Sequence, residues 1–481
     1  MSLHVVSSLF RVACALRRAS FDVAMAWGSS ASPSWLERIA RNDPTLTSVH
    51  VLRGVTFDEA TQIAAANALG SNTCVGEFYA SGRAVSVDAA RAWSACLMRN
   101  RSLRSLCLGD DGFGREVVED GNATSALRET LRGCAEARAL ERLDLENKGV
   151  LDADGEALGR VLASCRTLRE IGLGRNPELG ARGYAAALAG AREGGTLEAL
   201  DLTDNALDED AARALGTFLG VESPMKTLTL ARCAIGVEGL GALGAGLRAR
   251  AGVERLVMSG TKLGGGGAEA CFGSGTTSTN IVDIELVQCE IEEARDVAAL
   301  DSFLAASPGL RNANLRGNAF GDAGLVTLAK GAFAAHAPES LDLGSCKITA
   351  RAVDALACAI KSSKALSLFD NADIGDAGAA KIFADASGST LEILDLGAIG
   401  LTVAGLREIS RALERADAFD RLRTLVLGGN PGAQDDDWES LIDEIRGRRP
   451  GLDVAWRAAD GNSDDANRLK RDADGRVVGI E

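Results

Sequence analysis

Aromatic side chains make up only 4% of this 481-residue chain, and histidine occurs just three times, at His4, His50 and His336. A core built on rings is excluded. With 46% hydrophobic residues the filling must be aliphatic, mostly Leu, Val and Ala. Three scattered histidines suggest no Ser-His-Asp or Cys-His constellation, so no enzyme is expected. No C-x-x-C pair accompanies the eleven cysteines, which removes the support for zinc sites and for a disulfide framework. Reduced thiols in a cytosol-like compartment fit the odd count better. No apolar run approaches the roughly 18 residues of a bilayer span, and no G-x-x-x-x-G-K-[ST] phosphate loop occurs. Basic residues are outnumbered 67 to 52, giving a net charge of −15, so neither nucleic acid nor an anionic membrane is expected as the main partner. A basic protein surface would suit that charge.

What the chain does have is repetition. The segment 196–220, TLEALDLTDNALDEDAARALGTFLG, changes its apolar period from two to nearly four within a dozen residues. Related units begin at Leu140, Leu168, Leu197, Met225, Val253, Ile281, Leu310, Pro338, Ser363, Leu391 and Leu422, with steps of 28, 29, 28, 28, 28, 29, 28, 25, 28 and 31 residues. Weaker copies start at Leu46, Val75 and Leu103, making about fourteen. The 37-residue step from Leu103 to Leu140 predicts an insertion loop near 109–125. A fixed period of this size is the mark of a solenoid.

Each unit has two physical halves. In L-x-x-L-x-L the apolar residues alternate, which is strand chemistry with one face inward. In the segment after it, Leu207, Ala211, Leu215 and Phe218 or Leu219 recur at helical spacing. Stacked units share a core that no single unit could bury, with small residues such as those of AARALG and GALGAGL allowing close helix packing. The ninth position holds Asn176, Asn205, Asn318, Asn371 and Asn430, or Cys233, Cys289 and Cys346. An inward amide or thiol there would serve the backbone of a buried turn. Adjacent members of the Cys set lie two units, about 10 Å, apart by strand spacing, so they are expected as free thiols. The run Gly264–Gly267 reads as a lax loop in a degenerate unit.

A 28–29-residue L-x-x-L-x-L-x-x-[N/C]-x-[L/I] unit with Asn and Cys sharing the ninth position resembles the ribonuclease-inhibitor-type leucine-rich repeat. The same repeat class serves the Ran GTPase-activating protein and nucleotide-binding immune receptors. The resemblance covers roughly residues 45–456 and implies an α/β horseshoe, with parallel strands on the concave face and helices on the convex one. It also implies a scaffold that binds another protein through the concave face and adjoining loops.

The ends read differently. Residues 1–44 are a leader and helical cap, in which SWLERIARNDPTL is a helix ended by Pro44. Arg11, Arg17, Arg18 and four serines precede the first acid, a composition that also fits organelle import. GLDVAW at 451–456 is a last strand, and 457–481 is a polar tail expected to be disordered.

For function, the fifth position of the strand is expected on the open face. Down the array that column contains Asp144, Asp201, Glu285, Asp342 and Asp395 and no base. These five are the candidate partner-binding residues, a negative stripe for a basic protein. The leading expectation is a non-enzymatic protein-interaction scaffold in the cytoplasm, without cofactor or metal, and no small-molecule ligand is expected. A GTPase activator similar to the Ran regulator and a structural component of a ciliary axoneme or other cytoskeletal assembly remain open alternatives.

Overall fold

The computed structural model describes residues 34–456, apart from 53, 120–121, 250–251, 274–277 and 385, together with 469–471 and 477–480. The leader before residue 34 lies outside the described residues, as does most of the tail. Within the tail, Leu469–Arg471 and Val477–Ile480 pair as two antiparallel strands. The chain divides into two compact units, one ending at Gly252 and the other beginning at Val253.

Among the described residues, seven parallel strands run through the first unit, from Ser48–His50 to Thr227–Thr229, each three to five residues long. Eight run through the second, from Arg255–Val257 to Asp453–Ala455. The expected register holds throughout. Fourth positions pair with fourth positions: Val49 with Phe78, Phe78 with Leu106, Leu106 with Leu143, Leu143 with Ile171. In the second unit the same row runs through Ile284, Ala313, Leu341, Leu366, Leu394, Leu425 and Val454. Strand and helix alternate in every unit, as the change of period requires. Helix Glu209–Leu219 follows strand Ala199–Asp201 and buries Ala211, Leu215, Phe218 and Leu219. Asp208 caps it by accepting the Ala211 N–H at 2.8 Å. The first described helix, Ser34–Ala40, buries Trp35 and Ile39.

The helices sit so close that some contacts admit no side chain. A Cβ on Gly246 would lie 2.0 Å from the Gly216 carbonyl oxygen, and one on Gly190 would lie 2.0 Å from that of Gly159. Carboxylates stitch successive helical halves: Asp322 accepts the Thr349 N–H and Asp376 accepts the Thr402 N–H, both at 2.8 Å. The Gly264–Gly267 run is not lax, contrary to expectation. A Cβ at Gly264 would meet the Glu290 carbonyl oxygen at 2.2 Å, and Gly266 (φ 92°) donates its N–H to the fully buried Asp296 at 3.0 Å.

The ninth-position residues are the spine of each unit. Asn371 Nδ2 donates to the carbonyls of Leu343 and Leu368 at 2.9 and 2.8 Å, while its Oδ1 accepts from Cys346 N and Ile348 N at 3.0 Å. Asn176, Asn205, Asn318 and Asn430 also donate to the carbonyl of the preceding unit and to their own sixth-position carbonyl. The thiols of Cys233, Cys289 and Cys346 donate to preceding-unit carbonyls at 3.1 to 3.3 Å. All eight are buried. The insertion after Gly109 is anchored by the buried Phe113 and by Glu116, whose carboxylate lies 2.7 Å from Arg128. Beyond that anchor Val117–Glu119 and Asn122–Thr124 form a hairpin.

Candidate functional site: the open strand face

Fourth and sixth positions of the strands point into the core, so the third, fifth and seventh lie on the opposite face of each sheet. The five acids expected there as an exposed stripe are buried or half-buried. Asp201, Asp342 and Asp395 are only 5%, 4% and 3% exposed, and Asp144 and Glu285 are half-buried. Each Asp turns back on its own chain. Asp144 accepts the Glu146 N–H, Asp201 the Thr203 N–H, Asp342 the Gly344 N–H and Asp395 the Gly397 N–H, all at 2.9 Å. This is the Asx-turn geometry, two residues onward, that closes a strand. Glu285 lies 3.4 Å from Arg255 and accepts from Ser259 Oγ at 3.2 Å. Burial raises the pKa of Asp144 and Asp201 and pushes that of Asp395 up to about 6. Desolvation penalises a carboxylate here more than the hydrogen bonds favour it.

The flanking acids are neutralised by neighbouring strands. Glu141 lies 3.1 Å from Arg104, Glu198 2.9 Å from Lys226, Asp204 2.6 Å from Arg232 and Glu339 2.7 Å from Lys364. The face is therefore a lattice of paired charge rather than a field of one sign.

Sequence reasoning passed over three features. His50 and Tyr79 stack with ring centroids 4.7 Å apart, and the Tyr79 hydroxyl shares a hydrogen bond with Ser105 Oγ at 2.6 Å. Lys148, in the ninth position, is almost wholly buried with Nζ donating to Ser81 Oγ at 2.8 Å. In the second unit Phe369 is half-buried on the open face, with the Arg316 guanidinium 4.6 Å from its ring centre. Glycines flank it at the same position of the adjacent strands, Gly344 and Gly397, and a Cβ at Gly397 would lie 2.9 Å from the Phe369 ring. Reading the seventh column, Arg316, Gly344, Phe369, Gly397 and Gly428, would have exposed this isolated ring. Ile393 and Val426, on the next two strands, are also half-exposed.

Burial pushes the pKa values of the spine thiols Cys233, Cys289 and Cys346 up to about 12, which keeps these three protonated. Among the described residues no three His, Cys, Asp or Glu side chains are grouped to hold a metal, and no helix is long and apolar enough to cross a membrane.

Parallel strands in one register, a helix after each strand and an asparagine or cysteine spine define a leucine-rich repeat protein. Residues 364–383 match the family described as "Leucine Rich repeat". The chain is similar to the ribonuclease inhibitor of Sus scrofa, 32% identical over 205 residues that cover 41% of this chain and 44% of that protein. It is also similar to NACHT, LRR and PYD domains-containing protein 12 of Homo sapiens, 28% identical over 343 residues covering 70% of this chain and 28% of that one. These matches span less than half the length of either relative. An internalin from Listeria monocytogenes covers 89% of both chains at 12% identity, with a TM-score of only 0.39. The repeat of this chain is of the ribonuclease-inhibitor-like type.

Proposed function

We propose that the chain is a non-enzymatic protein-interaction scaffold that binds a protein partner on the open strand face. The observation that carries this reading is a set of half-exposed apolar side chains on three successive strands of the open face, Phe369, Ile393 and Val426, with the Arg316 guanidinium 4.6 Å from the Phe369 ring centre. Toward the start of the same strands Lys364 pairs with Glu339 at 2.7 Å. An apolar, aromatic centre with Arg beside it and a polar rim is the anatomy of a protein interface. The strands are fixed by their spine, so little ordering is needed on binding. The net charge of −15 favours approach of a basic partner from a distance, with the contact itself made by the apolar group. Relatives named as an inhibitor and as a multidomain repeat protein agree with a scaffold role. A cytosol-like compartment suits the buried thiols.

The test is affinity capture by the full chain and by its Ile393→Glu variant, compared by mass spectrometry. A protein retained by the wild type and lost by the variant supports the reading. Identical captures would sink it.

A further inference from the structure

Away from the strand face, the second unit contains a cavity of about 650 Å³ where its last helices return to their strands. Its size falls within that of small-ligand sites, on the order of 300–1,000 Å³. Leu413, Phe419, Leu422 and Leu452 give it an apolar floor. Around them stand four guanidinium groups, Arg421, Arg423, Arg448 and Arg449, against two carboxylates, Glu392 and Asp420.

The four arginines divide into two pairs. Arg448 is held by Glu414 at 2.8 Å, by Glu444, and by the Ser410 carbonyl at 3.0 Å. Arg449 donates to the carbonyls of Leu413, Arg415 and Ala418 at 3.2, 2.6 and 2.8 Å. These two satisfy carbonyls at and after helix C-termini, whose partial negative charge would otherwise oppose an anion. The outer pair is less engaged. Arg423 is 77% exposed and meets Glu392 only at 3.8 Å, and Arg421 is exposed with no hydrogen bond or ion pair among the described residues. Two exposed arginines bordering an apolar floor, with the neighbouring carbonyls already occupied, suit a planar or tetrahedral oxyanion that can take paired N–H donors.

We propose that this cavity binds an oxyanion carried by a peptide, a phosphate or a carboxylate, held by Arg421 and Arg423 with the adjoining side-chain carbons on the apolar floor. Glu392 and Arg423 border both this cavity and the strand ends, but the readout here is direct binding of small anionic probes rather than capture of a partner, so failure of this proposal is distinguishable from failure of the scaffold reading.

The test uses the full chain and three fluorescent peptides: one with phosphoserine, its unmodified serine counterpart, and hexaglutamate. Saturable binding is expected for the phosphoserine or hexaglutamate probe, competed by inorganic phosphate and absent for the serine peptide. Binding of phosphoserine alone identifies phosphate as the source, and binding of both identifies anionic charge in general. The double variant Arg421→Glu/Arg423→Glu should bind at least about tenfold more weakly, since two charge-assisted hydrogen-bonding groups are reversed. Arg182→Glu, an exposed change in the first unit, should have no effect. Hydrogen exchange on the wild type needs no variant, and there the bound probe should protect residues 413–423 and 448–452. No saturable binding, undiminished binding by the double variant, or protection confined to other segments overturns the proposal.

Discussion

Ser367 and Asp395 face each other across two neighbouring parallel strands, and the serine hydroxyl donates to Asp395 Oδ2 at 3.0 Å. The other carboxylate oxygen takes the Gly397 N–H, so the side chain that was expected to meet a partner is spent within its own sheet. Burial holds its pKa up at about 6, above the ordinary 3.8. A raised carboxyl keeps its proton in the folded chain where the unfolded chain has lost it. Its contribution is therefore favourable below the unfolded value and is lost as pH rises through the folded one. Asp395→Asn should remove that term, so urea melts of the variant and the wild type should draw apart between pH 4 and pH 7. The variant should gain relative stability with rising pH, by up to about 3 kcal/mol. Parallel pH curves for the two proteins would show that Asp395 does not titrate in this window.

Core register gives a second expectation. Leu200 and Leu343 are 3% and 0% exposed, one in each unit. Leu→Ala at either should cost about 2–5 kcal/mol in denaturant melts. A loss under about half a kcal/mol, the size of an ordinary surface change, would contradict their placement.

The fold was largely legible because its signal is periodic. A leucine step of 28 or 29 residues fixes which residues pair, and even the weak copies at Leu46 and Val75 fell into register. The site was less legible. Alternation says that position five faces away from the core, but not how deep it lies between neighbouring strands. Asp342 and Asp395 stand two residues before Gly344 and Gly397, and an aspartate so placed is a turn-capping signal as much as a surface one. Ion pairing was hidden for another reason. Glu198 and Lys226 are 28 residues apart in sequence and 2.9 Å apart in space, so only register makes them partners. Phe369 could have been found by reading another column.

Thiol reactivity supplies a third check. Cys74 and Cys358 are half-exposed, whereas Cys233, Cys289 and Cys346 are buried. A thiol reagent on native protein should modify the first two early and the other three only on unfolding. Mass mapping that finds all three labelled at the rate of Cys74 would overturn their inward placement.

The asparagine spine supplies a fourth. Asn371→Ala strands the carbonyls of Leu343 and Leu368 and the N–H groups of Cys346 and Ile348. At about 1–3 kcal/mol for each buried group left unpaired, it should cost more than about 3 kcal/mol. Asn371→Cys should cost less, because a thiol in this position can still donate to the preceding carbonyl, as Cys346 does to Leu315 at 3.3 Å. Equal losses for the two variants would mean that the ninth-position side chain acts by volume alone.

The most direct test concerns what on the open face meets a partner. For a protein captured through this face, association should be measured with wild type, with Phe369→Ala and with Asp342→Asn/Asp395→Asn, at low and high salt. The account predicts that Phe369→Ala weakens binding by about tenfold or more, as loss of a central aromatic anchor does. It predicts that the double Asn variant keeps the wild-type on-rate and salt slope, because both carboxyls are buried and bonded to their own strands. Unchanged affinity for Phe369→Ala together with a slower, less salt-dependent on-rate for the double variant would contradict it and return recognition to the acidic column.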